Sequence, residues 1–222
     1  MARLRTAVLI SGRGSNLAAL ADAAADPAYP AEIVLVLSNN PVAAGLEKAK
    51  TMGLASAIVD HRAFADRPTF EAALQTYFER ARVELVCLAG FMRLFSAGFV
   101  ERWRDRMINI HPSLLPAFPG LDTHARALSA GARFAGCTVH FVRFETDTGP
   151  IIAQAAVAIE PGDTPETLSA RVLAAEHRLY PLALRLLAEG KVTVKGETIW
   201  IDAPSPQGAV LISPLPGPGD LH

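Results

Sequence analysis

Short apolar runs alternate with longer amphipathic segments along the first half of the chain. The runs are rich in Val, Ile and Leu and end at Gly, Ser or Asn, which is typical of strands buried on both faces. We predict strands at residues 6–10, 33–37, 57–59 and 83–89. The segments between them predict helices at residues 17–25, 43–52 and 69–81. Strands that alternate with helices indicate a parallel sheet with right-handed crossovers.

The second half of the chain has a different pattern. A strand at residues 107–110 leads into residues 111–120, where three prolines and a glycine exclude a helix. Further strands are predicted at residues 138–144 and 151–159, helices at 123–130 and 165–189, and a hairpin around Gly196 at 192–201. The predicted fold class is α/β: a Rossmann-like, mostly parallel twisted sheet with helices on both faces and an antiparallel strand in its C-terminal part.

No linker or internal repeat divides this pattern, so we predict a single domain over residues 1–203. Its first half, about residues 1–100, carries the predicted phosphate site, and residues 101–203 carry the predicted reaction site. Residues 204–222 contain five prolines and three glycines and predict a poorly ordered tail.

Charge and cysteine content narrow the possible partners. With a net charge of −1 and a pI near 6.6, the chain has no overall positive charge to attract a nucleic-acid backbone or an anionic membrane. The sequence shows no apolar run of membrane-spanning length and no secretory signal. Cys87 and Cys137 lie in apolar surroundings and predict reduced thiols in a cytoplasmic protein. We therefore expect small-molecule substrates, whereas the sequence leaves the oligomeric state open between a monomer and a weak dimer.

A glycine-rich turn, Ser11–Asn16, joins the first strand to the first helix. Its glycines allow a ligand to approach the backbone, and free amides at a helix N-terminus favour a bound phosphate. The alternative is a tight turn in which Ser15 or Asn16 only caps the helix. The second strand ends in Ser38-Asn39, without the acidic residue of a dinucleotide site, and no Walker A sequence is present.

Asn109 and His111 are a candidate reaction pair. Residues two apart on a strand point to the same face, so the two side chains should project together. An amide can donate to an oxyanion while an imidazole moves protons near neutral pH, which suits acyl chemistry. The prolines that follow make the next loop stiff. A structural Asn and a buried core His are the alternative.

Asp147 is the candidate carboxylate partner of His111. It lies in a turn before Gly149-Pro150, where Asp commonly accepts hydrogen bonds from nearby amides, so turn chemistry alone also explains it. Glu145 is its local competitor for the same role.

A possible binding pocket follows the strand at residues 83–89. Gly90 and the apolar, aromatic residues up to Phe95 are suited to line a pocket for a flat heterocycle, although a core strand leading into a helix also fits. His140 lies on an alternating strand that can face the same site. Glu176 and His177 are neighbours on the long helix, where a surface pair is the usual explanation.

These motifs, in this order and spacing, resemble the phosphoribosylglycinamide formyltransferases, folate-dependent enzymes of purine synthesis. The resemblance extends over residues 7–201. Asn109-x-His111, followed by Pro-Ser-Leu-Leu-Pro, is specific to the transformylases that use 10-formyltetrahydrofolate as a group.

The resemblance implies transfer of a formyl group from 10-formyltetrahydrofolate to phosphoribosylglycinamide, without a metal. The implied catalytic residues are Asn109, His111 and Asp147. The residues implied to bind phosphoribosylglycinamide are Gly14, Ser15 and Asn16 at the phosphate, Glu176 at the ribose hydroxyls, and Gly90 and Pro112. The residues implied to bind the folate are Arg67, Met92, Arg93, Leu94, Phe95 and Asn109. The chain departs from the family pattern at Arg13, Ala117 and Asp122.

Other functions remain as alternatives. The nearest is a 10-formyltetrahydrofolate hydrolase or a formyltransferase for another amine. The hydrolases carry an additional N-terminal domain, and here the first strand is expected close to Met1. A formyltransferase acting on methionyl-tRNA should carry a basic C-terminal domain. A metal-dependent hydrolase would use His111, His140 and Asp147 as ligands. A nucleotide-binding module would bind without turnover.

Overall fold

The structure is a computed structural model that describes residues 2–204, Leu211 and Ser213. The strands are β1 (Leu4–Ile10), β2 (Ala31–Ser38), β3 (Ser56–Ile58), β4 (Leu85–Leu88), β5 (Met107–His111), β6 (Phe134–Phe141), β7 (Ile151–Ala158), β8 (Val192–Lys195) and β9 (Thr198–Ile201). The helices are α1 (Ser15–Ala25), α2 (Ala44–Thr51), α3 (Arg67–Arg80), α4 (Ala97–Arg102), α5 (Thr123–Ser129) and α6 (Pro165–Ala188). Most of the predicted tail lies outside the described residues, so the tail stays a prediction.

Seven strands form one sheet in the order β3-β2-β1-β4-β5-β6-β7. The pairs from β3 to β5 are parallel, and β6 and β7 are antiparallel to their neighbours. β8 and β9 form a separate antiparallel hairpin. The predicted fold class is confirmed, with two antiparallel strands in the main sheet. The strand order reverses between β1 and β4, the position at which ligands bind in open α/β sheets.

Apolar side chains are buried on both faces of this sheet. Along β1, Val8 and Ile10 face one cluster, whereas Ala7 and Leu9 face the other. Helices α1 and α6 cover the first cluster, and α3 and α4 cover the second. This alternation explains why β1 reads as a continuous apolar run. Among the described residues, no helix is both long enough and apolar enough to span a membrane.

The largest differences from the sequence prediction concern β6 and α4, whereas α1, α3 and β4 differ by only one or two residues at their ends. β6 begins at Phe134 and ends at Phe141 rather than extending from 138 to 144. Position 136 in this strand requires glycine, because a Cβ there would be 2.0 Å from the carbonyl oxygen of Ala155. Gly136 interrupts the apolar pattern, so the pattern did not show where the strand begins. Helix α4 was not predicted, since its six residues are too few for a helical period to be visible.

Candidate active site

Three neighbouring strands bring the candidate residues to one edge of the sheet. Leu9 of β1 pairs with Leu88 of β4, and Leu88 pairs with Asn109 of β5, so the carboxyl ends of the three parallel strands lie side by side. The loops after β1 and β4 are also in contact, because the Met92 amide donates to Ser11 Oγ at 2.8 Å. The glycine-rich turn therefore adjoins the loop that continues from β4.

The turn after β1 leaves the start of α1 without a side-chain cap. Gly14 is the residue before the helix, with a left-handed φ of 66°, and no side chain accepts from the first helical amides. Gly14 packs so closely on α2 that a Cβ would lie 2.6 Å from Gly45 Cα, so glycine is required there. The capping interpretation of Ser15 and Asn16 is wrong. The uncapped amides are free to bind an anion.

A buried hydrogen bond joins this turn to α6. Asn16 Nδ2 donates to Glu176 Oε2 at 2.7 Å, and both residues are buried. Asn16 Oδ1 is also buried and has no hydrogen-bond partner among the described residues. Burial raises the pKa of Glu176, while the Asn16 bond and the Arg13 charge act against this shift. The interpretation of Glu176 as part of a surface pair was wrong.

We expect Glu176→Gln to stabilise the protein at neutral pH. The pKa of Glu176 is raised in the folded state, so the protonated side chain favours folding. This contribution to the free energy of unfolding is fully present below the ordinary Glu pKa and is lost as pH rises through the pKa of the folded state. Gln cannot ionise and can still accept from Asn16. The variant's gain in Tm over wild type should therefore be larger at pH 8 than at pH 4, by about 2–4 °C per kcal/mol of relieved desolvation. The exposed control Glu145→Gln should show no such trend, and an equal or lower Tm of Glu176→Gln at pH 8 would contradict the expectation.

The two ring nitrogens of His111 both face oxygen acceptors. Nε2 lies 3.1 Å from the carbonyl oxygen of Phe118, and Nδ1 lies 3.4 Å from Asp147 Oδ2. A carbonyl oxygen can only accept, so Nε2 carries a proton in this arrangement. When Nδ1 is also protonated, the Asp147 carboxylate can accept its hydrogen bond and stabilise the positive charge of the ring. His111 is buried and lines the cavity described below.

Asp147 is held in the same site by a backbone amide. Its Oδ2 accepts from the Gly120 amide at 2.8 Å, and its Oδ1 lies 3.7 Å from His140 Nε2. Its φ of 58° is left-handed, a conformation that Asp tolerates better than most residues. Glu145, the competitor considered from sequence, is exposed and does not line the cavity.

His140 orients the amide of Asn109. Asn109 Nδ2 lies 3.2 Å from His140 Nε2, and His140 Nδ1 lies 2.9 Å from the Phe141 carbonyl oxygen. Since that carbonyl accepts the Nδ1 proton, Nε2 is free to accept from the amide. Burial lowers the pKa of His140, which favours this neutral ring. The sequence indicated that His140 faces the site but not this contact, which depends on the β5–β6 register that pairs it with Asn109.

A cavity of about 680 Å³ opens beside these residues. Its volume is within the range typical of small-molecule sites. The predicted site residues in its wall are Gly90, Met92, Arg93, Leu94, Phe95, Asn109, His111, Pro112 and Asp147. Stacked rings of Phe91 and Phe95, 5.5 Å apart, form part of its apolar side.

Arg67 and the residues of the glycine-rich turn do not line this cavity. Arg67 is exposed in the first turn of α3, and the folate contact that the resemblance implies for it stays a prediction. The turn and Glu176 form a second part of the site, connected through the contact between Ser11 and Met92. Among the residues that the structure describes, no cluster of His, Cys, Asp or Glu is arranged to hold a metal ion.

An uncapped helix start and a cluster of Asn109, Asp147 and the buried His111 thus share the carboxyl edge of one sheet, an arrangement typical of α/β enzymes. The formyl transferase family model matches residues 4–184. The chain belongs to this family, which confirms the resemblance seen in the sequence.

Individual relatives agree with the family match. A phosphoribosylglycinamide formyltransferase from Escherichia coli (strain K12) is 41% identical over 90% of this chain and 96% of the relative. The trifunctional purine biosynthetic protein adenosine-3 of Bos taurus is 47% identical over 90% of this chain, which spans only 20% of that protein. The crystal structure of glycinamide ribonucleotide transformylase 1 from Symbiobacterium toebii is 46% identical, with a TM-score of 0.87 over 90% of this chain and 94% of that one.

Proposed function

We propose that this protein transfers the formyl group of 10-formyltetrahydrofolate to the amine of phosphoribosylglycinamide, with formylglycinamide ribonucleotide and tetrahydrofolate as products. The observation that carries the proposal is the buried pair of His111 and Asp147, 3.4 Å apart, in a cavity wall that adjoins an uncapped helix start. The bacterial relatives that match most of the chain carry names for this activity.

The phosphoribosylglycinamide side of the site consists of Gly14, Ser15 and Asn16 with Glu176. In our proposal the free amides at the start of α1 bind the phosphate, assisted by the Ser15 hydroxyl. The buried carboxylate of Glu176 accepts from the ribose hydroxyls, because Asn16 satisfies only one of its oxygens. Gly90 and Pro112 line the cavity, and we place the glycinamide amine beside them, within reach of His111.

The folate side is the cavity itself. Its size suits the ring system of a folate, and Met92, Leu94 and Phe95 provide apolar contacts. Met92 and Leu94 are 66% and 63% exposed, so a ligand there would cover apolar surface that now faces solvent. Arg93 provides a positive charge at the same wall, suited to the carboxylates of a folate. Both the size and the chemistry of the wall therefore fit the proposed donor.

The residues of the site can perform acyl transfer without a metal. Bound 10-formyltetrahydrofolate supplies the formyl carbon, whose bond to the folate nitrogen breaks as a bond to the substrate amine forms. An amide NH₂ carries two hydrogens, so the bond from Asn109 to His140 leaves one for the carbonyl oxygen on which negative charge develops. We propose that this oxygen replaces the Phe118 carbonyl as the acceptor of the His111 Nε2 proton.

The amine loses one proton and the departing folate nitrogen gains one. In our proposal the doubly protonated ring of His111 gives its Nε2 proton to the departing nitrogen and takes up the amine proton at the same atom, while Asp147 stabilises the positive charge at Nδ1. Both cysteines are buried free thiols, which supports the cytoplasm as the proposed location.

A direct assay separates transfer from hydrolysis. Formation of tetrahydrofolate from 10-formyltetrahydrofolate is followed spectrophotometrically with and without phosphoribosylglycinamide. The proposal expects turnover only with the amine, and a formylated product by mass spectrometry. Equal turnover without the amine would identify a hydrolase and overturn the proposal.

Ser15→Asp tests the phosphate site. A carboxylate in the first turn of α1 would repel a bound phosphate, so the KM for phosphoribosylglycinamide should rise about tenfold or more. The KM for the folate should change less than twofold, since Ser15 does not line the cavity. The control is Ser15→Asn, because Asn has the size of Asp without its charge, and it should raise this KM less. An unchanged substrate KM in Ser15→Asp would contradict the phosphate assignment.

A further inference from the structure

A buried arginine connects the cavity wall to two other segments of the chain. Arg143 lies in the loop between β6 and β7, four residues before Asp147, and it lines the cavity. Its Nε donates to Glu197 Oε2 at 2.8 Å, and its Nη2 donates to Asp105 Oδ1 at 2.7 Å. The Arg143 side chain is only 8% exposed. Its guanidinium is therefore held by two carboxylates from segments distant in sequence.

The two carboxylates belong to segments with separate roles in the fold. Asp105 lies in the turn just before β5, the strand that carries Asn109 and His111. Glu197 lies in the turn of the β8–β9 hairpin, no residue of which lines the cavity. Through Arg143, both segments are joined to the loop that carries Asp147.

The geometry gives this contact more weight than an ordinary surface ion pair. Exposed pairs contribute little because water and salt screen them. Here the Arg143 side chain is only 8% exposed, and its hydrogen bond is the main cause that holds the pKa of Glu197 below its usual range. Removal of both carboxylate charges would leave the buried guanidinium without a counter-ion and with only the Val142 carbonyl oxygen, 3.1 Å from Nη1, as its other acceptor. We therefore expect Arg143 and its loop to move.

We propose that Arg143 is a positioning residue: Asp105 and Glu197 hold it, and it holds the loop between β6 and β7 in the shape that binds the folate and places Asp147 beside His111. This inference rests on the proposed function for its kinetic consequences. It also makes the hairpin, which lies outside the site, a determinant of folate binding.

The test compares wild type with the double variant Asp105→Asn/Glu197→Gln. We expect the KM for 10-formyltetrahydrofolate to rise about five- to tenfold, since two charge-assisted hydrogen bonds become weaker bonds to neutral amide oxygens. The KM for phosphoribosylglycinamide should stay within twofold. Amide hydrogen exchange in residues 142–150 of the free protein should become faster. Glu160→Gln, which removes a partner of Arg171 at 3.2 Å on the surface, is the matched control and should change none of these.

Glu197→Asp keeps the carboxylate and should lie closer to wild type than Glu197→Gln in both folate KM and exchange. Unchanged folate KM and exchange in the double variant would overturn the proposal. So would an equal rise in both KM values with a lowered Tm, because this would indicate general destabilisation. Should wild type fail to transfer formyl groups, the proposed function fails, while hydrogen exchange still tests the positioning role.

Discussion

Replacement of His111 by Ala is expected to lower kcat for formyl transfer about 1,000- to 10,000-fold. The ring has two roles in the proposed reaction, as a donor to the developing negative charge and as the group that moves the proton. Both are lost with the ring, whereas phosphoribosylglycinamide binds mainly at the start of α1 and should retain its affinity. The measurement is steady-state formyl transfer, with equilibrium binding of phosphoribosylglycinamide by calorimetry.

Two further variants make the His111 result specific. His61→Ala removes an imidazole that contacts Asn39 outside the cavity and should keep kcat within about twofold. His111→Gln keeps an N–H donor but cannot move a proton near neutral pH, so its kcat should lie between those of wild type and His111→Ala. Circular dichroism should show a retained fold in all three. Near wild-type turnover in His111→Ala would exclude the proposed role.

Local patterns in the sequence were sufficient to predict the strand–helix alternation and most of the site. Residues 7–10 of β1 and all of β4 are apolar because both faces of the sheet are covered, and this made the strands visible. Asn109 and His111 were found because residues two apart on a strand share a face. The glycine-rich turn was found because its glycines lie between the first predicted strand and helix, and the left-handed φ and close packing of Gly14 explain why a glycine stands there.

Contacts between distant segments could not be predicted in this way. Glu176 bonds to Asn16 across 160 residues, and from its helix alone it was interpreted as a surface residue. The role of Arg143 depends on where the β8–β9 hairpin packs, which no local pattern records. The choice between Asp147 and Glu145 also needed the structure, because only the geometry of the loop decides which of the two carboxylates faces His111.

Asp147→Asn is expected to lower kcat about 100- to 1,000-fold without loss of the fold. Asn has the same shape and also tolerates the left-handed φ of 58° at this position. Its amide oxygen can still accept from Gly120, so the loop keeps its anchor. The change therefore removes mainly the negative charge beside His111, and protonation of the ring during the reaction becomes less favourable.

Asp147→Ala should lower the stability of the protein as well as kcat. Comparison with Asp147→Asn therefore separates the effect of the charge from that of the loop structure. The Ala variant loses the bond to Gly120 and places a residue without a side-chain hydrogen bond at a left-handed φ, so its Tm should fall as well. Glu145→Gln removes a charge two residues away in the same loop and should keep kcat within about twofold, because that side chain is exposed. If Asp147→Asn and Glu145→Gln had the same kcat, electrostatic support of His111 by this loop would be excluded, and the short contact between His111 and Asp147 would be structural only.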